Sequence, residues 1–156
     1  MTTTQQLADR AAIADLVARL GHWLDSGDPG TEALRDIYAE DVVVETVRGT
    51  LCGLDDVMTH VGRARTGDER TQHFNTDLLI DLDGDRAEVA VQQLVHFFRP
   101  GGTPHRTAGV RCAYGAVRTG EGWRFARAEF APRWIEHAEA EAQAQSVTAP
   151  SSASAS

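Results

Sequence analysis

Apolar residues near the start of the chain recur every three to four positions, which is the spacing of an amphipathic helix. The pattern predicts a helix over residues 5–25. The run Ser-Gly-Asp-Pro-Gly that follows favours turns and ends the helix there. The apolar members of this helix are Leu7, Ala11, Ile13, Ala14, Leu16, Val17, Leu20, Trp23 and Leu24.

Two further helices are predicted in the first half of the chain. A short one spans 32–38, with Thr31 as its N-cap. A third spans 54–65, where two aspartates in the first turn suit the positive end of the helix dipole. The polar, glycine-containing segment 63–69 is predicted to be a mobile loop.

Runs of β-branched and aromatic residues predict strands in the rest of the chain. Asp83-Gly84-Asp85 is a hairpin signal between two of them. Helices segregated from an antiparallel sheet define the α+β class. The strands are predicted over 42–47, 71–82, 86–99, 106–118 and 123–130, with a short return strand near 49–53.

A single domain is predicted over 1–137, because a chain of 156 residues suits one core. The segment 138–156 is mainly Ala, Glu, Gln, Ser, Thr and Pro. Such a composition can bury little apolar surface, so a disordered tail is predicted there.

Composition narrows the partners. The acidic residues outnumber the basic ones, 23 to 15, and the net charge is −8, which argues against nucleic acid. No apolar run is long enough to cross a membrane and no signal peptide begins the chain, so a cytoplasmic address is expected. Cys52 and Cys112 lack metal-type spacing and are expected to be free thiols. The sequence predicts neither a metal nor a cofactor.

Candidate chemistry comes from polar residues that share a strand face, since alternate residues of a strand point the same way. A face mixing His, Asn, Gln and Phe is typical of a ligand pocket, where a few polar groups converge among apolar ones. The sets that share a face by this rule are His73, Asn75 and Asp77; Phe74, Thr76, Leu78 and Ile80; Gln92, Leu94, His96 and Phe98; and Val110, Cys112 and Tyr114.

Two residues lead as catalytic candidates. His73 can exchange protons near neutral pH, although a histidine at the start of a strand can equally be structural. Asp25 lies at the last turn of the first helix, where the helix dipole disfavours a carboxylate. A compensating partner is therefore expected for Asp25, and a histidine is one option; a solvated turn aspartate is the other.

Several motifs in this order resemble the NTF2-like superfamily, and its SnoaL-like branch in particular. The resemblance covers about residues 5–135. It implies a cone-shaped fold, with a strongly curved antiparallel sheet and three helices of the N-terminal half closing a pocket. The motifs are Leu-Asp-Ser-Gly-Asp after the first helix, the stretch from Leu34 to Glu45, Gly53-Leu-Asp-Asp-Val, Asp81-Leu-Asp-Gly-Asp-Arg-Ala and Gly122-Trp-Arg-Phe.

The resemblance also implies a site. Thr71-Gln72-His73-Phe74 resembles the stretch that carries the catalytic histidine of the dehydratase members, and Asp25 falls where they keep the paired aspartate. The tyrosines that polarise a carbonyl in this branch are replaced by leucine and threonine, which leaves Tyr114, His96 or a water for that role. The side chains predicted to line the pocket are His96, Trp23, Leu24, Thr46, Asn75, Gln92, Phe98, Cys112 and Tyr114.

The branch contains dehydratases, isomerases and cyclases, so the expected function is cofactor-free acid–base catalysis on a small hydrophobic, oxygenated metabolite, in secondary metabolism. Two alternatives stay open: a non-catalytic module that binds a small molecule or a partner, and an epoxide-opening enzyme. A homo-oligomer is expected, with a dimer favoured over a trimer, because an open sheet would otherwise expose one face.

Overall fold

The computed structural model describes residues 2–26, 30–64 and 67–138. Nearly all of the predicted tail, 139–156, lies outside the described residues, and so does part of the predicted loop 63–69. No helix within the described ranges is long and apolar enough to span a membrane.

Helix α1 spans Thr4–Asp25, as the periodicity predicts to within one residue. A capping box opens it: the Thr3 side chain accepts from the Gln6 backbone N–H, and the Gln6 side chain accepts from the Thr3 backbone N–H. One side of the helix is buried through Ile13, Leu16, Val17, Leu20 and Trp23.

The second predicted helix is shorter and of another type. It is a 3₁₀ helix, Thr31–Asp36, and its N-cap is Gly30, whereas Thr31 was predicted to cap it. Tyr38 already belongs to the first strand, because it pairs with Phe125 across the sheet, and this tertiary pairing overrides helical spacing. Helix α2 spans Leu54–Ala64.

Six strands form one unclosed sheet in the order β2-β1-β6-β5-β4-β3. All neighbours are antiparallel except β1 and β6, which are parallel, so the prediction of an antiparallel sheet is corrected at that pair. The strands are β1 Tyr38–Thr46, β2 Gly49–Cys52, β3 Arg70–Asp83, β4 Arg86–Phe98, β5 Arg106–Thr119 and β6 Gly122–His137.

Bulges bend the long strands and so curve the sheet. The register of β3 against β4 shifts between Thr76 and Leu79, and Asp77 there has a φ of 52°. The extra residue reverses the alternation beyond the bulge. Leu78 and Ile80 therefore pack against the core, whereas strict alternation had placed them on the face of Phe74.

The core lies between α1 and the inner face of the sheet, which carries Val89, Val91, Cys112, Tyr114 and Phe125. A partly buried ion pair, Asp9–Arg118, joins the start of α1 to this core.

Arg118 on β5 donates two hydrogen bonds to Asp9, at 2.8 and 2.7 Å, and Trp123 Nε1 donates a third at 3.1 Å. At the other end of α1, Asp25 accepts a hydrogen bond from the backbone N–H of His73 on β3, which is an edge strand.

Candidate active site

The last residue of α1 meets the edge strand of the sheet. Asp25 Oδ1 lies 2.5 Å from His73 Nδ1, and Asp25 Oδ2 accepts from the His73 backbone N–H at 2.8 Å. Thr71 Oγ1 lies 3.1 Å from Asp25 Oδ1. The contact expected between Asp25 and His73 is therefore present, and two atoms of the histidine hold the carboxylate.

These bonds explain why a carboxylate can occupy the negative end of a helix. The dipole of α1 disfavours Asp25, but hydrogen bonds to a charged acceptor are about twice as strong as neutral ones. The free edge of β3 supplies one of them, since the backbone N–H of His73 points away from β4 to reach Asp25. The dyad thus depends on β3 being at the edge of the sheet.

The contact also determines which nitrogen of the neutral imidazole ring carries the proton. A carboxylate only accepts hydrogen bonds, so Nδ1 of His73 carries the proton that faces Asp25. In the neutral ring Nε2 then keeps its lone pair and can take a proton. The side chain of His73 is 10% exposed and that of Asp25 is 25% exposed, so the pair is sheltered but reachable.

A cavity of about 320 Å³ opens beside this pair. Helix α1 forms one wall and β3 the other, and the volume lies at the lower end of the range for small-molecule sites. No three His, Cys, Asp or Glu side chains converge as metal ligands within the described ranges. The lining residues are Ala18, Gly21, His22, Asp25, His73, Phe74, Asn75 and Thr76.

Asn75 lies on the same face of β3 as His73, and it has a partner that the sequence reading missed. Gln93 Nε2 donates to Asn75 Oδ1 at 2.9 Å, and Gln93 is only 8% exposed. A signal for Gln93 was available, because it interrupts the buried alternation of Val89, Val91 and Val95 on β4. His22 was also missed; it is exposed on α1 and no periodicity marks it.

Three residues predicted to line the pocket lie on the opposite face of the sheet. Gln92, His96 and Phe98 share a face, as predicted, but His96 pairs with Gln72 rather than with His73. A one-residue difference in register moves a whole set of side chains to the other face. Instead, His96 Nδ1 lies 2.9 Å from Thr107 Oγ1, and the His96 ring makes an edge-on contact with the Phe74 ring.

The other predicted lining residues lie away from this cavity. Thr46 stabilises the β1–β2 turn, donating to the Gly49 carbonyl and accepting from the Arg48 backbone N–H. Trp23 is buried in the core, and Leu24 packs partly buried against it.

Cys112 and Tyr114 are on the inner face but fully buried, and Tyr114 stacks on Phe125 with ring centroids 4.3 Å apart. Burial raises the pKa of Tyr114 well above its usual value and that of Cys112 to about 11, so both stay protonated at neutral pH.

The chain belongs to the SnoaL-like domain family, whose model matches residues 5–129. This match confirms the resemblance seen in the sequence and places the fold in the NTF2-like superfamily. None of the curated proteins compared with the chain is similar to it.

Solved structures share the fold. An NTF2-like protein with a cystatin-like fold from Novosphingobium aromaticivorans is 29% identical, with 85% of this chain and 92% of that chain covered and a TM-score of 0.67. A candidate scytalone dehydratase from the same organism is 20% identical, with coverages of 85% and 89% and a TM-score of 0.74. A hexachlorocyclohexane dehydrochlorinase, LinA type 2, is 18% identical, with coverages of 95% and 97% and a TM-score of 0.74.

Proposed function

We propose that the chain is a cofactor-free acid–base enzyme of the dehydratase, isomerase or cyclase type, acting on a small hydrophobic, oxygenated metabolite. One observation carries the proposal: His73 Nδ1 lies 2.5 Å from Asp25 Oδ1, and both residues line a cavity of small-molecule size. An aspartate that fixes the ring orientation of a histidine is a recurrent way of making a positioned base.

The chemistry follows from the free Nε2 of His73. This nitrogen removes a proton from a carbon next to a carbonyl, and the electron pair of the C–H bond moves toward the carbonyl oxygen. The carboxylate of Asp25 stabilises the imidazolium ion that forms. In a dehydration, the ring then passes the proton to the leaving hydroxyl, which departs as water while the carbonyl re-forms beside a new C=C bond. In an isomerisation, the proton returns to a different carbon.

Two structural neighbours support elimination within this range. The names of the candidate scytalone dehydratase and the dehydrochlorinase denote loss of water and loss of hydrogen chloride, respectively. Both losses remove a proton as well as the leaving group. Such a reaction needs a positioned base, and His73 is the residue that we propose for this role.

The test is hydrogen exchange into D₂O for a panel of small cyclic and open-chain ketones, followed by ¹H NMR. His73→Ala is expected to slow exchange by roughly 10²- to 10⁴-fold, the usual contribution of a positioned base. The matched control is His96→Ala, since His96 pairs with a neighbouring residue of β3 but lies on the opposite face. Equal rates in wild type and His73→Ala would overturn the proposal.

A binding module without catalysis is the second candidate, and the tyrosines favour it. The chain has two, Tyr38 and Tyr114, and both are buried in the core, where neither hydroxyl can polarise a carbonyl in the cavity. A module of this kind would bind a ketone, return it unchanged, and catalyse no exchange in wild type.

The proposal includes a homodimer. The outer face of the sheet exposes two large aromatic side chains, Phe74 at 45% and Trp134 at 49%. Exposed aromatic surface of this kind is typical of a face that another protein covers. A second copy of the chain is the occupant we propose, and light scattering at known concentration tests it.

A further inference from the structure

An amide pair stands beside His73 on the inner face of the sheet. Asn75 on β3 is the direct cross-strand partner of Gln93 on β4, and Gln93 Nε2 donates to Asn75 Oδ1 at 2.9 Å. Gln93 is buried, and burying an amide costs free energy unless the amide is hydrogen-bonded. The bond therefore holds the Asn75 side chain in one orientation, with its oxygen turned toward β4.

The nitrogen of the same amide is turned toward α1. A β-carbon added to Gly21 would lie only 3.0 Å from Asn75 Nδ2. Among the residues that the structure describes, none accepts a hydrogen bond from this nitrogen. Asn75 and Gly21 both line the cavity, so the N–H groups of Asn75 are donors that a bound molecule can use.

Asn75 and His73 lie beside the same point above Gly21 and line the same cavity. The same point above Gly21 that lies 3.0 Å from Asn75 Nδ2 lies 3.9 Å from the β-carbon of His73. A carbonyl compound contains an acidic carbon and an oxygen two bonds away. One small molecule can therefore place its carbon at His73 and its oxygen at Asn75.

The other groups considered for polarising the carbonyl are elsewhere. Tyr114 stacks in the core on Phe125, and His96 lies on the opposite face of the sheet, beside Thr107. On α1, Gly21 lies against the Asn75 amide. Because glycine has no side chain, the Asn75 amide can occupy space that a larger residue would fill.

We propose that the side-chain amide of Asn75, oriented by Gln93 and seated against Gly21, binds the substrate oxygen on which negative charge develops when His73 removes the proton. This inference rests on the proposed function and deepens it. The substrate class is then a compound with a carbonyl, or another oxygen that becomes an anion, next to the acidic carbon. Removing one such donor typically costs 10²- to 10³-fold in rate.

The test uses Asn75→Leu, which has a similar shape but no donor, and Gln72→Leu as the control. Gln72 is a polar residue of the same strand on the outer face, so its loss changes polarity without touching the cavity. Two measurements are made on each variant: ketone exchange into D₂O, and the affinity for a phenolate relative to its neutral methyl ether. The phenolate mimics the anion and needs no turnover.

Asn75→Leu is expected to slow exchange about 10²-fold and to lower the preference for the phenolate at least tenfold, while Gln72→Leu changes neither. An unchanged phenolate preference in Asn75→Leu overturns the inference. If wild type shows no exchange with any ketone, the proposed function fails, and the phenolate preference still decides whether Asn75 is the donor.

A second variant covers the case in which Asn75→Leu does not fold. Gly21→Ala removes no functional group but pushes the amide away from its seat, because the new carbon would be only 3.0 Å from Asn75 Nδ2. We expect the preference for the phenolate to fall in the folded protein, because the amide moves from its position beside His73. A phenolate preference equal to that of wild type in a folded Gly21→Ala protein also contradicts the inference.

Discussion

Replacing Asp25 by asparagine tests whether the aspartate controls the protonation of the histidine ring. Asp25 accepts from the backbone N–H of His73 at 2.8 Å and from its ring nitrogen Nδ1 at 2.5 Å. An amide has one oxygen and one NH₂ group, so it can accept from only one of these two donors. The backbone N–H cannot lose its proton, whereas the ring can move its own to the other nitrogen.

We therefore expect the amide oxygen of Asp25→Asn to accept from the backbone and its NH₂ group to donate to Nδ1 of His73. The ring proton then moves to Nε2, and this nitrogen, the proposed base, has no free lone pair. The wrong tautomer of a catalytic histidine costs on the order of 10⁴-fold in rate where it has been measured in a triad. A loss of about 10³-fold or more in ketone exchange is expected here.

The expected cost in stability is small by comparison. Hydrogen bonds to a charged acceptor contribute about 1 kcal/mol more than neutral ones, and two of the bonds to Asp25 come from His73. Removing a carboxylate from the negative end of a helix returns roughly 0.3–1 kcal/mol. The free energy of unfolding should fall by about 1–2 kcal/mol, which lowers the thermal midpoint by roughly 2–8 °C in a chain of this size.

The assay is ¹⁵N NMR of ring-labelled histidine, which reports the protonated nitrogen directly, combined with ketone exchange. Asp15→Asn is the control, because Asp15 is exposed and forms an ion pair with Arg19 on the same helix. Two results would refute the reasoning: a proton retained on Nδ1 of His73 in Asp25→Asn, or full exchange activity with the proton on Nε2.

Three further predictions concern other parts of the molecule. The Arg118 guanidinium holds the pKa of Asp9 well below its usual range, so this pair adds stability above about pH 4 that is lost as the pH falls further. Urea unfolding from pH 5 to pH 2 should show this loss. Asp9→Asn should have a lower free energy of unfolding at pH 7 and should lack that part of the acid sensitivity. Ellman's reagent should react quickly with the exposed Cys52 only, because Cys112 is fully buried with its pKa raised to about 11; two fast thiols in the native protein would contradict the core placement. Trp134→Glu, on the outer face, should convert the proposed dimer into a monomer by light scattering. An unchanged mass would show that this face is not the interface.

Local pattern was enough for most of the secondary structure. The spacing of apolar residues in α1 and the alternation in β4 and β5 survive folding because each element buries the face that its own sequence makes apolar. The short 3₁₀ helix departs from its prediction because Tyr38 is taken into the sheet by a residue far along the chain, Phe125. A distant partner of this kind leaves no local signal.

For the site, the sequence determined the residue types and the tertiary structure determined the grouping. The family motifs and the position of Asp25 at a helix end were sufficient to predict its contact with His73. The face of the sheet on which His96 lies depended on the register between β3 and β4, which periodicity within one strand cannot set. The bulge at Asp77 moved Leu78 and Ile80 to the other face of β3. Only the folded chain turns Asn75 toward Gly21 and supports it with Gln93, because Gly21 lies on a distant element and the Gln93 contact depends on the register between β3 and β4.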